Sequence, residues 1–470
     1  MGIPFRITMV IAVASAVVLQ SCTSLDTAVD YEEAMTLVEA RSGWRPTWNA
    51  PWGESVPSWD GQSSLTVDQA VTIALENNRE MRATLEAIAT ARADLVQSGL
   101  LPNPVLSVAF GLAIDGSGGA TTVSASLIQQ LADLWQRPAR QDAAAALLRE
   151  QILSVSDSAL AMVADVRGHH ARIVYAQHGI ALIESHIELT ERSIELTQRR
   201  IRAGEATDLD ANRLRQLRLS LQAELAQQHL ELGTLKRELL SRIGMAELRA
   251  DWSADDTITV PPSVAMDMTE DQLIELVYVQ RLDVAAAKQA FESLRHELRV
   301  AKLGAIPDVD AGPVFEREDD GRDELGAGID LEIPIFDTNR ARVAMAMSKL
   351  RRARAEYQHS VQTAITQVRN AWLQARTAQE LVTFYQEKVL VLAADNLSLA
   401  EQSFEAGQVD MTVVLQTRRQ LIEAEIELNR LKAGAEASTI KLEYAVGGRL
   451  DSPVDAPGDR NADERDGGDR

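Results

Sequence analysis

The chain carries one long pattern twice. Residues 65–103 open with Leu-Thr-Val-Asp-Gln-Ala and run to Gly99-Leu100-Leu101-Pro102; residues 268–307 open with Met-Thr-Glu-Asp-Gln-Leu and run to Gly304-Ala305-Ile306-Pro307. Each copy continues into a small-residue segment, a junction, a long polar helical pattern and a turn. The junctions read Leu134-Trp135-Gln136-Arg137-Pro138-Ala139-Arg140 and Phe336-Asp337-Thr338-Asn339-Arg340-Ala341-Arg342. The turns are Ile201-Arg202-Ala203-Gly204 and Phe404-Glu405-Ala406-Gly407. Asp68 precedes Asp271 by 203 residues (271 − 68), and Gly204 precedes Gly407 by the same 203 (407 − 204). A constant offset over most of a chain marks a tandem duplication. Whatever this chain folds into must therefore be pseudo-symmetric.

Composition narrows the choice. Of 470 residues only 4% are aromatic and 25% are charged. That suits extended helices with narrow apolar seams better than thick globular cores. The formal net charge of −22 argues against nucleic acid, whose phosphates need a basic surface. It is compatible with an acidic passage for cations.

The N-terminus has Arg6, an apolar run Ile7–Leu19, and then Leu19-Gln20-Ser21-Cys22. The run is too short to span a bilayer but fits a secretory leader. Leu-x-small-Cys resembles the lipobox of bacterial lipoproteins, which makes residues 1–21 the expected signal peptide and Cys22 the expected site of lipid attachment. Cys22 is the only cysteine, so no internal disulfide can form. No later run approaches the ~20 apolar residues of a membrane helix, so a membrane crossing would have to be a closed β-barrel.

Residues 22–64 contain Trp44, Trp48, Trp52 and Trp59 with Pro46, Pro51 and Pro57 among them. The segment reads as extended chain, either a strap over the body or an aromatic stretch near the membrane interface. The first repeat unit spans 65–260: a helix from Thr66 to about Gln97, a β-hairpin over 104–130 and a long helical hairpin over 139–246. The second spans 261–450, with its β-hairpin at 308–333 and helical hairpin at 338–446. Residues 451–470 read as a disordered acidic tail.

The strands alternate. Leu106, Val108, Phe110 and Leu112 interleave with Ser107, Ala109 and Gly111; Leu325, Ala327, Ile329 and Leu331 interleave with Gly326, Gly328, Asp330 and Glu332. Apolar outside and polar inside is the pattern of a membrane barrel strand. Phe110, Leu112, Leu325 and Ile329 are expected to face lipid, and Asp308, Asp310, Glu316, Asp330 and Glu332 the lumen. No proline interrupts 139–260 or 335–452. Ile183, Ile187, Thr190, Ile194, Thr197 and Ile201 follow the four-three spacing of a coiled-coil seam, and Leu390, Leu397 and Phe404 recur every seven residues. The 65 residues from Ala139 to Ala203 would reach roughly 95 Å as a helix, about three times a hydrocarbon core, and must project into water. Four strands cannot close a barrel, so copies must share one; two copies would supply eight strands and three would supply twelve.

With these features the chain resembles the TolC-type outer-membrane efflux proteins, in their lipoprotein branch. The resemblance covers Cys22 to about Gly448. It rests on the duplicated unit, the strand exits ending in Arg140 and Arg342, and the tip Gly204-Glu205-Ala206-Thr207-Asp208-Leu209-Asp210. The second tip, Gly407-Gln408-Val409-Asp410-Met411-Thr412, conforms less well. Where family helices often carry Asn-Pro or Arg-Pro, this chain has Asn78-Arg79 and Arg281-Leu282. The resemblance implies a mainly α fold with a membrane β-barrel shared by a homotrimer, lipid-anchored in the outer membrane and extending into the periplasm. It also implies a passive duct that meets a periplasmic adaptor and an inner-membrane transporter, with no catalytic site and no cofactor. Gly204, Glu205, Thr207, Asp208, Leu209, Asp210, Glu405, Gly407 and Asp410 are the expected docking and gating residues.

The main alternative is a lipid-anchored coiled-coil scaffold without a pore, which leaves the two alternating hairpins unexplained. His169, His170, His178 and His186 share one helix, but their spacing misses the i, i+4 geometry of paired metal ligands, and they read as a polar helix surface.

Overall fold

The computed structural model describes residues 26–48, 59–112, 121–255, 268–317 and 322–450. Cys22 with its leader, Trp52, the Gly116–Gly119 turn and the tail from residue 451 lie outside the described residues, as does the side chain of Leu112. In chain order the elements are α1 (Ala28–Ser42), α2 (Val67–Asn77), α3 (Arg79–Ser98), β1 (Val105–Leu112), β2 (Thr121–Gln130), α4 (Asp133–Arg202) and α5 (Asp208–Arg242). The second half repeats them as α6 (Glu270–Gln280), α7 (Leu282–Leu303), β3 (Val309–Arg317), β4 (Asp323–Leu331), α8 (Arg340–Phe384), a π turn (Tyr385–Val389), α9 (Leu390–Glu405) and α10 (Met411–Val446). Contacts divide the chain into two compact units.

One unit comprises Met1–Glu33, Glu86–Ile152 and Glu292–Lys349. It holds a four-stranded antiparallel sheet in the order β1-β2-β3-β4. The two hairpins that the alternation predicts are joined here through β2 and β3, with Ala125 opposite Phe315 and Gln129 opposite Ala311. Pro313 has no N–H to give the ladder, and Gly312 stands where a Cβ would lie 1.8 Å from the Leu127 carbonyl oxygen. At each strand exit the junction arginine closes an ion pair with a nearby aspartate: Arg140 with Asp133 (2.5 Å) and Arg342 with Asp337 (2.8 Å). The Ser293 hydroxyl donates to the Ala143 carbonyl (3.0 Å), tying α7 to α4.

The other unit comprises Ala34–Leu85, Leu153–Phe291 and Leu350–Arg470, and its named elements among the described residues are all helices. Its helices begin as the sequence dictates: Thr66 with Gln69, Thr269 with Gln272 and Thr207 with Asp210 form reciprocal capping boxes. The expected seam is present. Ile183, Leu221 and Ile422 form a buried cluster joined by Ile187, Leu217, Leu225 and Ile426.

Four features differ from the sequence expectation. First, residues 28–42 form helix α1 within the stretch read as extended; the stretch is free of proline until Pro46, so nothing stops a helix there. After α1, Trp44 Nε1 donates to Asp68 (3.0 Å), Trp48 Nε1 to the Leu75 carbonyl (3.0 Å), and Trp59 packs edge-on against Trp252 at 5.5 Å, as a strap would. Second, the helix expected from Thr66 to about Gln97 breaks at Asn78, and its counterpart breaks at Arg281. Both residues are extended, with ψ of 123° and 114°. Third, α4 starts at Asp133 and not at Ala139, and accommodates Pro138 near its beginning.

Fourth, three of the four histidines are not a polar surface, while His178 is half-buried. His169, His170 and His186 are buried. His170 Nε2 bonds to the Leu65 carbonyl (2.8 Å), His169 Nδ1 lies 2.9 Å from the Asp165 carbonyl, and His186 Nε2 is 2.6 Å from the Glu425 carboxylate. The helix carries apolar neighbours such as Ile173 and Ile183 around its circumference, so imidazoles on it become interior groups with their own partners.

Candidate functional site

Two places gather the expected functional residues. The first is the sheet. Directly opposed residues of an antiparallel pair share a face, so the register sorts every side chain. Leu106 opposes Leu127, Val108 opposes Ala125, and Phe110 opposes Val123. Phe315 opposes Leu325, and Ala311 opposes Ile329. With Ala125 opposite Phe315, these pairs make one continuous apolar face across all four strands. It is bare: Phe110 is 71% exposed, Leu325 81% and Ile329 73%. A polypeptide with this face in water would carry an unprotected apolar patch; in lipid the same face is satisfied.

The opposite face collects carboxylates. Asp310 opposes Asp330, and Glu316 opposes Glu324. Glu316 also opposes Ser124, and Asp310 opposes Gln130. Beyond the strand ends, the Glu332 amide donates to the Asp308 carbonyl (3.1 Å), extending the acidic row by one step. Like charges directly opposed on one face are unfavourable in a sheet. Their repetition suits a water-filled passage better than a packed interior. Asp308, Asp310, Glu316, Asp330 and Glu332 are the carboxylates expected from the sequence; Glu324 is not among them, although strict alternation with Leu325 places it on the same face. The outer edges of β1 and β4 have no partner strand among the described residues.

The second place is the pair of helical tips. Gly204 (φ 77°) and Gly407 (φ 72°) both take the left-handed conformation that glycine adopts without strain. Each ends its helix in the same way: the Glu205 amide donates to the Arg200 carbonyl and the Gln408 amide to the Ser403 carbonyl, both at 2.8 Å. The returning helices are capped differently. Thr207 and Asp210 cap each other in a box, whereas Asp410 accepts a single bond from the Thr412 amide (3.3 Å). That difference follows from sequence: three residues beyond Asp410 stands Val413, which cannot reach back.

The acidic tip residues sit beside arginines that are not among the expected docking and gating residues. Glu205 is 3.8 Å from Arg200, and Asp210 is 4.0 Å from Arg213. Arginines also join the two hairpins. Arg213 donates to the Thr412 hydroxyl, and the Arg200 guanidinium lies 4.8 Å from the Phe404 ring. Arg418 donates to Ser193 Oγ (2.6 Å) and to Glu401 Oε1 (2.8 Å). Ser193 and Arg418 are 225 residues apart, so no local pattern could have paired them. Asp208, Leu209, Glu405 and Asp410 are exposed. The tips thus offer polar bonds that can be exchanged, with carboxylates left toward solvent.

Among the described residues no helix is long and apolar enough to cross a membrane, and no group of three or more His, Cys, Asp or Glu is placed to hold a metal ion.

The described residues thus comprise a two-faced four-stranded sheet with open edges and a duplicated set of long helical hairpins. Residues 273–448 match the family model described as outer membrane efflux protein. The cobalt-zinc-cadmium resistance protein CzcC of Cupriavidus metallidurans is 22% identical over 371 residues, covering 77% of this chain and 85% of that protein. The pyoverdine export outer membrane protein OpmQ of Pseudomonas putida is 23% identical over 452 residues, covering 88% and 93%. Among solved structures, CusC superposes with a TM-score of 0.70 at 17% identity over 86% of this chain and 98% of that one. A membrane protein from Pseudomonas aeruginosa superposes with a TM-score of 0.68 at 21% identity, covering 86% and 99%. Residues 273–448 thus carry an outer membrane efflux protein domain, and the chain has the fold of these solved membrane proteins. The family consists of channel proteins and not enzymes, and a scaffold without a pore is not favoured.

Proposed function

We propose that three copies of this chain close a twelve-stranded barrel in the outer membrane and form a passive duct. The observation that carries this is the sheet, with lipid-compatible side chains on one face, carboxylates on the other and two open edges. An open edge in lipid leaves backbone N–H and C=O groups without partners, each costing several kcal/mol, so β1 must find a β4 of another copy. Three copies give twelve strands, wide enough for a passage, where two give eight and a filled interior.

In this reading the helical hairpins stand in the periplasm. Their tips, Gly204 to Asp210 and Glu405 to Asp410, meet a periplasmic adaptor, and an inner-membrane transporter supplies the energy. Cys22 carries the lipid anchor. Cargo is not chosen by the relatives, one named for cobalt, zinc and cadmium resistance and another for pyoverdine export. The duct is what they have in common.

Cysteine pairs across the open edges test the assembly. Ser107→Cys or Ala109→Cys in β1 would be combined with Gly326→Cys or Gly328→Cys in β4, in a Cys22→Ser background. The expected result is an oxidised ladder that ends at three copies in at least one pairing. A ladder ending at two copies, or single chains in all four pairings, would rule the assembly out.

A further inference from the structure

The ascending helices of the two hairpins match position by position, but not at one offset. Val166, Ile173, Ile180 and Ile183 in α4 are buried, and their counterparts Val368, Ala375, Val382 and Tyr385 stand 202 residues later, buried or half-buried. Toward the tip, Ile187, Ile194, Thr197 and Ile201 correspond to Leu390, Leu397, Ala400 and Phe404, now 203 residues later. The change falls between one pair of neighbours. Ile183 to Ile187 is a step of four, whereas Tyr385 to Leu390 is a step of five. The second hairpin therefore contains one inserted residue at a definable place.

In a regular α-helix one extra residue would turn everything beyond it by about 100°, taking the tip-side seam off its partner. The structure absorbs the residue instead. Tyr385–Val389 is a π turn, closed by the Leu390 amide bonding to the Tyr385 carbonyl. A π turn takes up a single extra residue within an otherwise α-helical run. Both ends of the step stay on the seam: Tyr385 and Leu390 pack against the cluster of Val382, Leu428 and Ala435. Gln386, Glu387 and Lys388 are exposed, and no residue of the turn is buried. α4 runs from Asp133 to Arg202 without such an interruption.

We propose that the inserted residue makes Tyr385–Val389 a hinge, about which the tip-side part of the second hairpin turns relative to the rest of its own helix. Three observations converge on this place. The middle of the turn, Gln386 to Lys388, faces solvent, its closing backbone bond is of the i→i+5 kind, and regular packing resumes on both sides. A rotation here moves Glu401 and Phe404, which hold Arg418 and Arg200 at the tip. The first hairpin has no equivalent freedom, so the two tips of one chain would move unequally. The consequence for transport rests on the duct reading; the hinge itself does not.

Deleting Gln386 gives a clean test, because it restores a step of four from Tyr385 to Leu390 and leaves both seams in register. The deletion variant is expected to assemble and to melt no lower than the parent. In the parent, amides of residues 386–392 should exchange ~10-fold faster than those of 371–382 or 393–400, and the deletion should remove that contrast. In planar bilayers the variant should open several-fold less often than the parent. Uniform exchange along the parent helix would overturn the hinge, and so would a variant that opens as often as the parent. If the parent itself never conducts, the duct reading fails and the exchange comparison alone decides the hinge.

Discussion

Asn78 donates its side-chain amide to the carbonyl of Arg242 at 2.6 Å, and 203 residues later (281 − 78) Arg281 donates to the carbonyl of Ala445 at 2.8 Å. The acceptors are themselves 203 residues apart (445 − 242). One bond of the duplicated unit has thus been kept while its donor changed from an amide to a guanidinium. Both donors sit at the point where a helix breaks and restarts, and neither break needs proline. Asn78 also caps the restart, its Oδ1 accepting from the Met81 amide (2.9 Å). Arg281 adds bonds to Asp283 (2.7 Å) and Gln367 (2.8 Å).

Because the break already exists, proline should be tolerated just after it. Asn78 has φ −66° and ψ 123°, the conformation that a following proline favours, and Arg79 is exposed at the first helical position. Arg79→Pro is expected to be neutral or to stabilise by up to about 1 kcal/mol. Asn78→Ala should cost about 1–2 kcal/mol through the lost cap and carbonyl bond. Chemical denaturation of the two variants checks both signs.

These breaks mark the limit of what the sequence made legible. The duplicated unit, the strand parity and the coiled-coil seams were readable because burial imposes short periods on local sequence. The helix breaks at Asn78 and Arg281 were not, since with proline absent they depend on carbonyls more than 160 residues away. The burial of His170 likewise rests on Leu65, and the tip arginine Arg418 on Ser193, both distant in sequence. The step of five at Leu390 was written in the sequence, but it becomes interpretable only beside Ile183 and Ile187.

The left-handed glycines of the two repeats should fall into two classes, each made of one equivalent pair. At the tips, a Cβ on Gly204 or Gly407 meets nothing within 4 Å, so Ala there incurs only the left-handed backbone cost of roughly 1–2 kcal/mol. Gly244 and Gly447 are also left-handed (φ 75° and 99°), but a Cβ on Gly244 would lie 2.6 Å from the Asn77 carbonyl oxygen and one on Gly447 2.8 Å from the Gln280 carbonyl carbon. Ala at either of those two sites should cost more than about 3 kcal/mol or prevent assembly, since backbone would have to move. Thermal melting of the four single variants separates the two classes.

Two half-buried carboxyls predict a pH dependence of the helical unit. Burial, reinforced by Glu443 and opposed by Arg167, pushes the Glu436 carboxyl up to about 7. Burial and then Asp283 push Asp157 up to about 6, against Arg281 and a bond with Tyr444. With folded pKa values above the unfolded ones, the folded state holds more protons between about pH 4 and 7, and stability falls as pH rises through that window. Glu436→Gln and Asp157→Asn should each raise stability at pH 8, by at most about 2–3 kcal/mol, and change little at pH 4. Melting curves at the two pH values check the sign; a gain confined to low pH would contradict it.

On the sheet, Leu325→Arg should weaken membrane insertion by about 2–4 kcal/mol if the residue lies near mid-bilayer. A change to Arg at Gly326, on the opposite face, should insert normally. Folding yield into lipid vesicles compares the pair, and equal yields would mean that the two faces had been assigned wrongly.

Single-channel recording of the purified, assembled protein bears on the duct itself. The parent should form discrete conducting events with a preference for cations. Neutralising the opposed carboxylates together, Asp310→Asn with Asp330→Asn and Glu316→Gln with Glu324→Gln, should keep the events and lower that preference several-fold. Absence of any conductance from correctly inserted protein, or a cation preference untouched by the four substitutions, would contradict a water-filled passage lined by this face.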